Sequence, residues 1–453
     1  MTLDELAVFY REHLTRVILP FWLDRGIDRT HGGFYTCFEN SGARLRSTDK
    51  YTWSQGRFLW VVSRLWREFS AILDPAALAE CQRAATRGAE FLRRHAIDPD
   101  GRVRWVIDAE GRPLEMDRFG NAAAPGQAGV ESITADLFLI YGLAEYARAS
   151  GQRGCLDLAG RLFASVEARI ASGDYRWAPH QGNPKGYRLH GVPMIMLETA
   201  QELALAWERF DHEEAGHFVA AGRDSLDRIL GHFLIEGRIL EMVPDEGAIP
   251  GAGLYAAHKK GGSATRKGAA ASDDLLSSYI NPGHCLEDSW FMLHFARRWG
   301  DSTVIPRVLD VIRYVMTTGW DIERGGLLLY AHAQGGPPHG TVRPENETDG
   351  IVASLADDWG QKLWWVHAEA LYALLLAYEV SGDPWFLEQH GRVHDYVFGL
   401  FPNPDRSIGE WIQIRDRSGA PLDRVVALPV KDPMHVSRAL MNIVTCLERQ
   451  SRR

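Results

Sequence analysis

Stretches of helical periodicity come in pairs, joined within a pair by two or three residues and separated between pairs by long glycine-rich segments. That alternation limits the fold more than any other feature of the chain. Apolar residues fall on one helix face in Ile133, Leu137, Ile140, Tyr141 and Ala144, and again in Trp364, Ala368, Leu371, Leu375 and Tyr378. About twelve such stretches occur, near residues 3–25, 54–71, 75–96, 131–150, 152–172, 192–208, 212–232, 286–299, 302–319, 362–381, 383–400 and 435–449. The links Ser150-Gly151, Gly300-Asp301 and Ser381-Gly382-Asp383 are short enough to make each pair an antiparallel helical hairpin. Six hairpins are expected.

Between pairs lie HGGFYTCFENSG at 31–42, GRVRWVIDAEGRP at 101–113, ERGGLLLYA at 323–331 and GEWIQIRDRSG at 409–419, which read as short β-hairpins. A unit of about 60 to 75 residues, repeated six times, predicts an all-α (α/α)6 barrel as one domain over 1–453. An open solenoid is the alternative, but solenoids usually show a repeated sequence signature, and none is visible. Long loops of such a barrel gather at one end, so function is expected where they meet inner-helix termini. The segment 244–280, with Lys259, Lys260, Arg266 and Lys267 set among Gly, Ala and Ser, reads as a flexible loop insertion, either a lid or inert.

Composition narrows the partners. With 50 Lys+Arg against 59 Asp+Glu the net charge is −9, which offers no basic footprint for nucleic acid. No window reaches the ~18 to 20 apolar residues of a membrane helix. The start, MTLDELAVFYREHLTRVILPFW, lacks the features of a signal peptide, so a cytoplasmic protein is expected. Cys37, Cys81, Cys155, Cys285 and Cys446 are scattered without a CxxC pair and read as structural thiols in a reducing compartment. No HExxH or HxH set and no Walker loop occurs, and GGSATRKG at 261–268 is only loosely like a phosphate loop, so neither metal nor phosphate chemistry is expected.

Two motifs share one design. In Asn281-Pro282-Gly283-His284 and Asp432-Pro433-Met434-His435 an Asx residue suits the N-cap and proline the first helical position, placing each histidine in a helix's first turn. The positive helix end there is expected to lower the imidazole pKa and keep a neutral base near pH 7, as proton abstraction from carbon requires. A first-turn histidine can equally serve only to solvate a helix end. Glu287 follows His284 on the same face, with Trp290 and Phe291 beyond it, and Arg438 stands in the same relation to His435. Arg57, in YTWSQGRFLW, has the aromatic surroundings that suit an oxyanion partner, although a surface salt bridge would also account for an arginine there. The 15 tryptophans, including Trp53, Trp60, Trp364 and Trp365, fit stacking on sugar faces and core packing alike.

Taken in order, WSQGR at 53–57, GVPMIMLETAQEL at 191–203, NPGHCLEDSWFML at 281–293, KLWWVHAEAL at 362–371 and MHVSRAL at 434–440 resemble the N-acylglucosamine 2-epimerase family, which includes cellobiose 2-epimerases and aldose-ketose isomerases. The resemblance implies an (α/α)6 barrel, a small-molecule sugar substrate, a homodimer, and proton transfer at C2 through an enediol or enolate without a cofactor. It implies His284 and His435 as acid and base, Arg57 by the substrate oxygens and Glu287 as the acid after the first motif. It further places Arg438, His367 and Glu369 in the cavity lining, with Trp364 or Trp365 as a stacking wall. Pro193 and Ile195 stand where the cellobiose branch carries an extra histidine, which favours the N-acylglucosamine-like branch. Ser437 replaces the usual proline beside His435, so the lining there is expected to differ. Three other activities remain open at this point: an aldose-ketose isomerase, a glycoside hydrolase using Asp357-Asp358 or Asp273-Asp274, and a non-catalytic sugar-binding or protein-interaction module.

Overall fold

Capping residues set most of the helix boundaries. A computed structural model describes residues 2–116, 122–123, 132–177, 184–245, 274–423 and 431–451. Thr2 and Glu5 form a capping box on α1 (Leu3–His13), which runs through a π-turn at Leu14–Ile18 into α2 (Leu19–Arg25). Then come α3 (Thr52–Glu68), α4 (Pro75–His95), α5 (Ile133–Ser150), α6 (Arg153–Ser172), α7 (Gly191–Trp207), α8 (His212–Arg228), α9 (Pro282–Trp299) and α10 (Val304–Thr318). The chain ends with α11 (Gly350–Asp357), α12 (Trp364–Ser381), α13 (Pro384–Leu400) and α14 (Met434–Ser451). Asp74, Ser132, Asp211, Asn281 and Asp383 accept first-turn N–H groups. The short links turn on Gly151, Gly300 and Gly382 at φ of 77°, 85° and 68°, left-handed values that a Cβ disfavours.

Six helices form an inner ring. α3 packs on α5, α5 on α7, α7 on α9, α9 on α12, α12 on α14, and α14 returns to α3, so the ring closes. α12 shows its inner position in its burial, since every residue from Val366 to Ala377 is buried. Outer α4 instead buries one stripe: Cys81, Ala84, Ala85, Gly88, Ala89, Phe91 and Leu92. α3 and α5 approach backbone to backbone at Gly56 and Gly142, where a methyl on Gly56 would collide with the Phe138 carbonyl. This is an (α/α)6 barrel. Five pairs are sequential hairpins, but the sixth joins C-terminal α14 to N-terminal α1, because closing a ring brings the chain ends together. No described helix is long and apolar enough to cross a membrane.

The glycine-rich segments hold bridge-sized turns, such as Ile27 with Phe34 and Trp320 with Leu327. Apart from local hairpins such as Leu234–Ile235 with Arg238–Ile239, the ladders of two or three residues form between loops. A strand just before an inner helix pairs antiparallel with the segment after the following outer helix: Lys50–Tyr51 with Val106–Ile107, Tyr187–Leu189 with Met242–Pro244, Tyr279–Ile280 with Ala331–His332, and Lys362–Leu363 with Ile414–Arg415. Each pairing draws a loop over an inner-helix N-terminus and builds the functional end.

A repeat hidden from the sequence reading lies in these loops. Asp28 accepts the N–H groups of Thr30 and His31 and pairs with buried Lys50 at 2.8 Å, while Gln55 accepts the Phe34 N–H. Asp321 does the same for Glu323, Arg324 and buried Lys362, with His367 in the place of Gln55, accepting the Leu327 N–H at 3.0 Å. Only the two ends of the segment read as an insertion at 244–280 are among the described residues. Leu275–Ser277 forms a 3-10 turn and Tyr279–Ile280 a strand, while 246–273, with the lysine cluster and GGSATRKG, lies outside the described residues.

Candidate active site

Asn281 caps α9 by accepting the Gly283 and His284 N–H groups at 3.0 and 3.3 Å, with Pro282 in the first turn as its fixed φ favours. α14 starts at Met434, and Asp432 accepts the His435 N–H at 2.8 Å. Both histidines therefore stand at inner-helix starts on the loop end of the barrel. Trp365 packs near both, its ring centroid 5.2 Å from that of His284 and 5.7 Å from that of His435. A methyl on Gly283 would strike the Trp365 ring. Gly283→Ala is accordingly expected to displace this indole and reduce turnover while the circular dichroism spectrum stays helical.

Each imidazole is tied to a buried carboxylate through Nδ1. His284 Nδ1 is 2.9 Å from Glu241 Oε2, and His435 Nδ1 is 2.7 Å from Glu369 Oε1. With Nδ1 donating, Nε2 is the atom each ring offers for proton transfer. Burial pushes the His284 pKa down, but the charge and hydrogen bond of Glu241, helped by Glu287, outweigh it and raise the value. The expected lowering is therefore corrected, since a full carboxylate charge at hydrogen-bond distance exceeds the half charge of a helix end. His284 is biased toward its protonated, acid form.

The same pair ties stability to pH. Glu241 is held down to about 2 from 4.5, against the burial that alone would raise it, by His284 and His190. Its contribution is complete above pH 4.5 and is lost as pH falls toward 2. The raised His284 contributes fully below 6.5 and loses its share as pH climbs through its folded value. Urea unfolding between these limits is expected to give the largest contribution from this pair, and Glu241→Gln to flatten both flanks.

Around His435 the charges interlock. Arg438, 2% exposed, bonds Glu287 and, at 2.8 Å, Glu369. Glu369 also accepts the Trp290 indole N–H at 2.7 Å. Glu287, Glu369 and His435 bring ligand-type atoms within 4.8 Å of one another, but the guanidinium of Arg438 already fills the place of a cation. Arg57 lies over Phe138 and Trp53, 4.0 and 4.6 Å from their ring centroids, with Nη1 3.3 Å from Asp432. Its Nε has no hydrogen-bond partner among the described residues. Arg438, whose Nε is likewise unpartnered among the described residues, is neutralised by two carboxylates, while Arg57 bonds Asp432 alone, so Arg57 is the better placed to meet an oxyanion.

Beside His284 opens a small cleft lined by Trp177, Leu189, Met242, Tyr279, Tyr330 and Ile351, with Glu241 and Asn281 as further polar groups. Trp364 donates its indole N–H to Asp432 at 3.3 Å and so braces the Arg57 side. His367 is not part of the cluster. Fully buried, it accepts from Leu327 and donates to the Leu363 carbonyl at 2.7 Å, which leaves neither ring nitrogen for a ligand. Sequence reasoning missed Glu241. Its signal was an acid between apolar neighbours in Ile239-Leu240-Glu241-Met242-Val243, a place where an unpaired carboxylate would be costly.

The chain is thus an (α/α)6 barrel whose loop end holds two histidines, each backed by a buried carboxylate. More particularly, the chain belongs to the N-acylglucosamine 2-epimerase (GlcNAc 2-epimerase) family, whose profile matches residues 33–436. It is 30% identical over 438 residues to N-acylglucosamine 2-epimerase of Homo sapiens, covering 95% of this chain and 87% of the relative. It is 25% identical over 455 residues to cellobiose 2-epimerase of Ruminococcus albus, covering 96% and 97%. The solved cellobiose 2-epimerase from Spirochaeta thermophila shares the fold, with a TM-score of 0.71 at 20% identity, covering 99% of this chain and 98% of that one.

Proposed function

We propose that this chain is a sugar 2-epimerase that interconverts C2 epimers of an N-acyl-hexosamine or aldose by two-histidine proton transfer. The observation that carries the reading is the pair of imidazoles that both pack near Trp365, each held through Nδ1 by its own buried glutamate. One Nε2 removes the C2 proton of the open-chain sugar, and the carbon becomes planar. Arg57 meets the negative charge that develops on the neighbouring oxygen. The second imidazole returns a proton to the opposite face, and the roles exchange in the reverse direction. Glu369 and Glu241 hold the rings, Arg438 fixes Glu369 and Glu287, and Trp365 supplies a flat face for the sugar.

Support for an N-acyl substrate comes from Pro193 and Ile195, which put no imidazole on α7 at those positions, and from the apolar side of the cleft at Leu189, Met242 and Ile351, which suits an acyl group. The described members of the hydrolytic candidates are engaged elsewhere: Asp358 accepts from Gln361 at 2.8 Å and Asp274 from the Tyr187 hydroxyl at 2.6 Å, while Asp273 lies outside the described residues. Chromatography of products from glucose, mannose, N-acetylglucosamine and N-acetylmannosamine tests the reading. The C2 epimer is expected from at least one of them. Ketose as the main product from every active substrate would overturn it.

A further inference from the structure

His190 joins the strand Tyr187–Leu189 to α7 and is fully buried. Its Nε2 is 2.8 Å from Asp288 Oδ2, and its Nδ1 is 3.4 Å from Glu241 Oε1. The other Glu241 oxygen holds His284, so Asp288, His190, Glu241 and His284 form one line of contacts from beneath α9 to the cleft. A neutral imidazole has one N–H and one lone pair, and here the lone pair would face a carboxylate oxygen. Two protons on the ring satisfy both carboxylates.

We propose that His190 is a positioning residue, a permanently protonated imidazolium that fixes Glu241 and damps the pull of that carboxylate on the His284 proton. Burial works against a charge at this place, but the hydrogen bonds and charges of Asp288 and Glu241 reverse it and raise the His190 pKa to about 9. Phe233 also packs on the ring, its centroid 5.6 Å away. His284 itself faces Glu241, Glu287, the cationic His190 and the Trp365 ring. Glu241 alone would keep His284 protonated too firmly for it to act as a base. A cation on the far side of the carboxylate weakens that hold, so one imidazole can both give and take a proton. The consequence for turnover rests on the epimerase reading, whereas the charge state of His190 does not.

The test joins a spectrum to a rate profile. In wild-type protein labelled with 15N-histidine, one imidazole absent from the His190→Gln spectrum is expected to show both nitrogens protonated from pH 6 to about 8. In Asp288→Asn the same signal is expected to titrate at lower pH. His190→Gln should lower kcat by about ten- to a hundredfold with KM little changed, and should move the limb requiring neutral His284 to higher pH. A singly protonated His190 at pH 7, or a pH profile identical to wild type in folded His190→Gln, would overturn the proposal. If His190→Gln does not fold, the wild-type and Asp288→Asn spectra decide. A doubly protonated His190 in a protein that epimerises no sugar would sink the function and leave the charge assignment standing.

Discussion

Alanine at His284 or at His435 lowers kcat by about 10² to 10⁴, the range that loss of a positioned acid or base produces. The helical circular dichroism should barely change, because both rings stand at helix starts whose caps, Asn281 and Asp432, act through backbone N–H groups and remain. The two variants should differ in a way that a general loss of structure would not. Each keeps one imidazole on one face of C2, so each should still exchange the C2 proton of one epimer with solvent while failing to form the other. Proton NMR in heavy water reads this directly, as loss of the H2 signal without product. Near-normal turnover in either variant would remove that histidine from the mechanism.

Removing Arg438 has the largest expected effect on stability. Its guanidinium is buried against Trp290 and bonds both Glu287 and Glu369, each nearly sealed from solvent. Arg438→Ala leaves two carboxylates without their cation and opens a space beside Trp290. Breaking a buried ion pair from one side costs about 3 to 5 kcal/mol. Glu369, held down to about 2 by Arg438 and His435 against its burial, would then bind a proton more readily and slacken its grip on the His435 ring. A fall in the urea midpoint, with loss of turnover even where the protein remains folded, is the expected pair of results. An unchanged midpoint would mean that water reaches the two carboxylates freely.

The placement of His284 and His435 was legible because it is coupled to local structure. An Asx-Pro start fixes a helix N-terminus from sequence alone, and a histidine two or three residues later has few places to go. The barrel was legible for a similar reason, since glycine after a periodic stretch marks a tight link and tight links make hairpins. What escaped depends on partners far along the chain. Glu241 belongs to a loop that only the pairing of Met242–Pro244 with Tyr187–Leu189 brings under His284. The resemblance puts His367 of Trp365-Val366-His367-Ala368-Glu369 in the cavity lining, but its task is that of Gln55 in the other copy of the turn. That copy was hard to see because its fixed points, Asp28, Lys50 and Gln55 against Asp321, Lys362 and His367, are spread over more than twenty residues and the last differs in type. The sign of the His284 shift was misjudged because a helix end can be read from sequence and a carboxylate brought in by folding cannot.

The most direct measurement of the central claim is incubation of the protein with N-acetylglucosamine, and separately with N-acetylmannosamine, in heavy water, followed by NMR of the recovered sugars. Transfer between two imidazoles on opposite faces predicts one solvent deuterium at C2 of the product epimer, none at C1, and no ketose. Deuterium at C1 of a ketose, or epimer formed with its C2 proton fully retained, would contradict it.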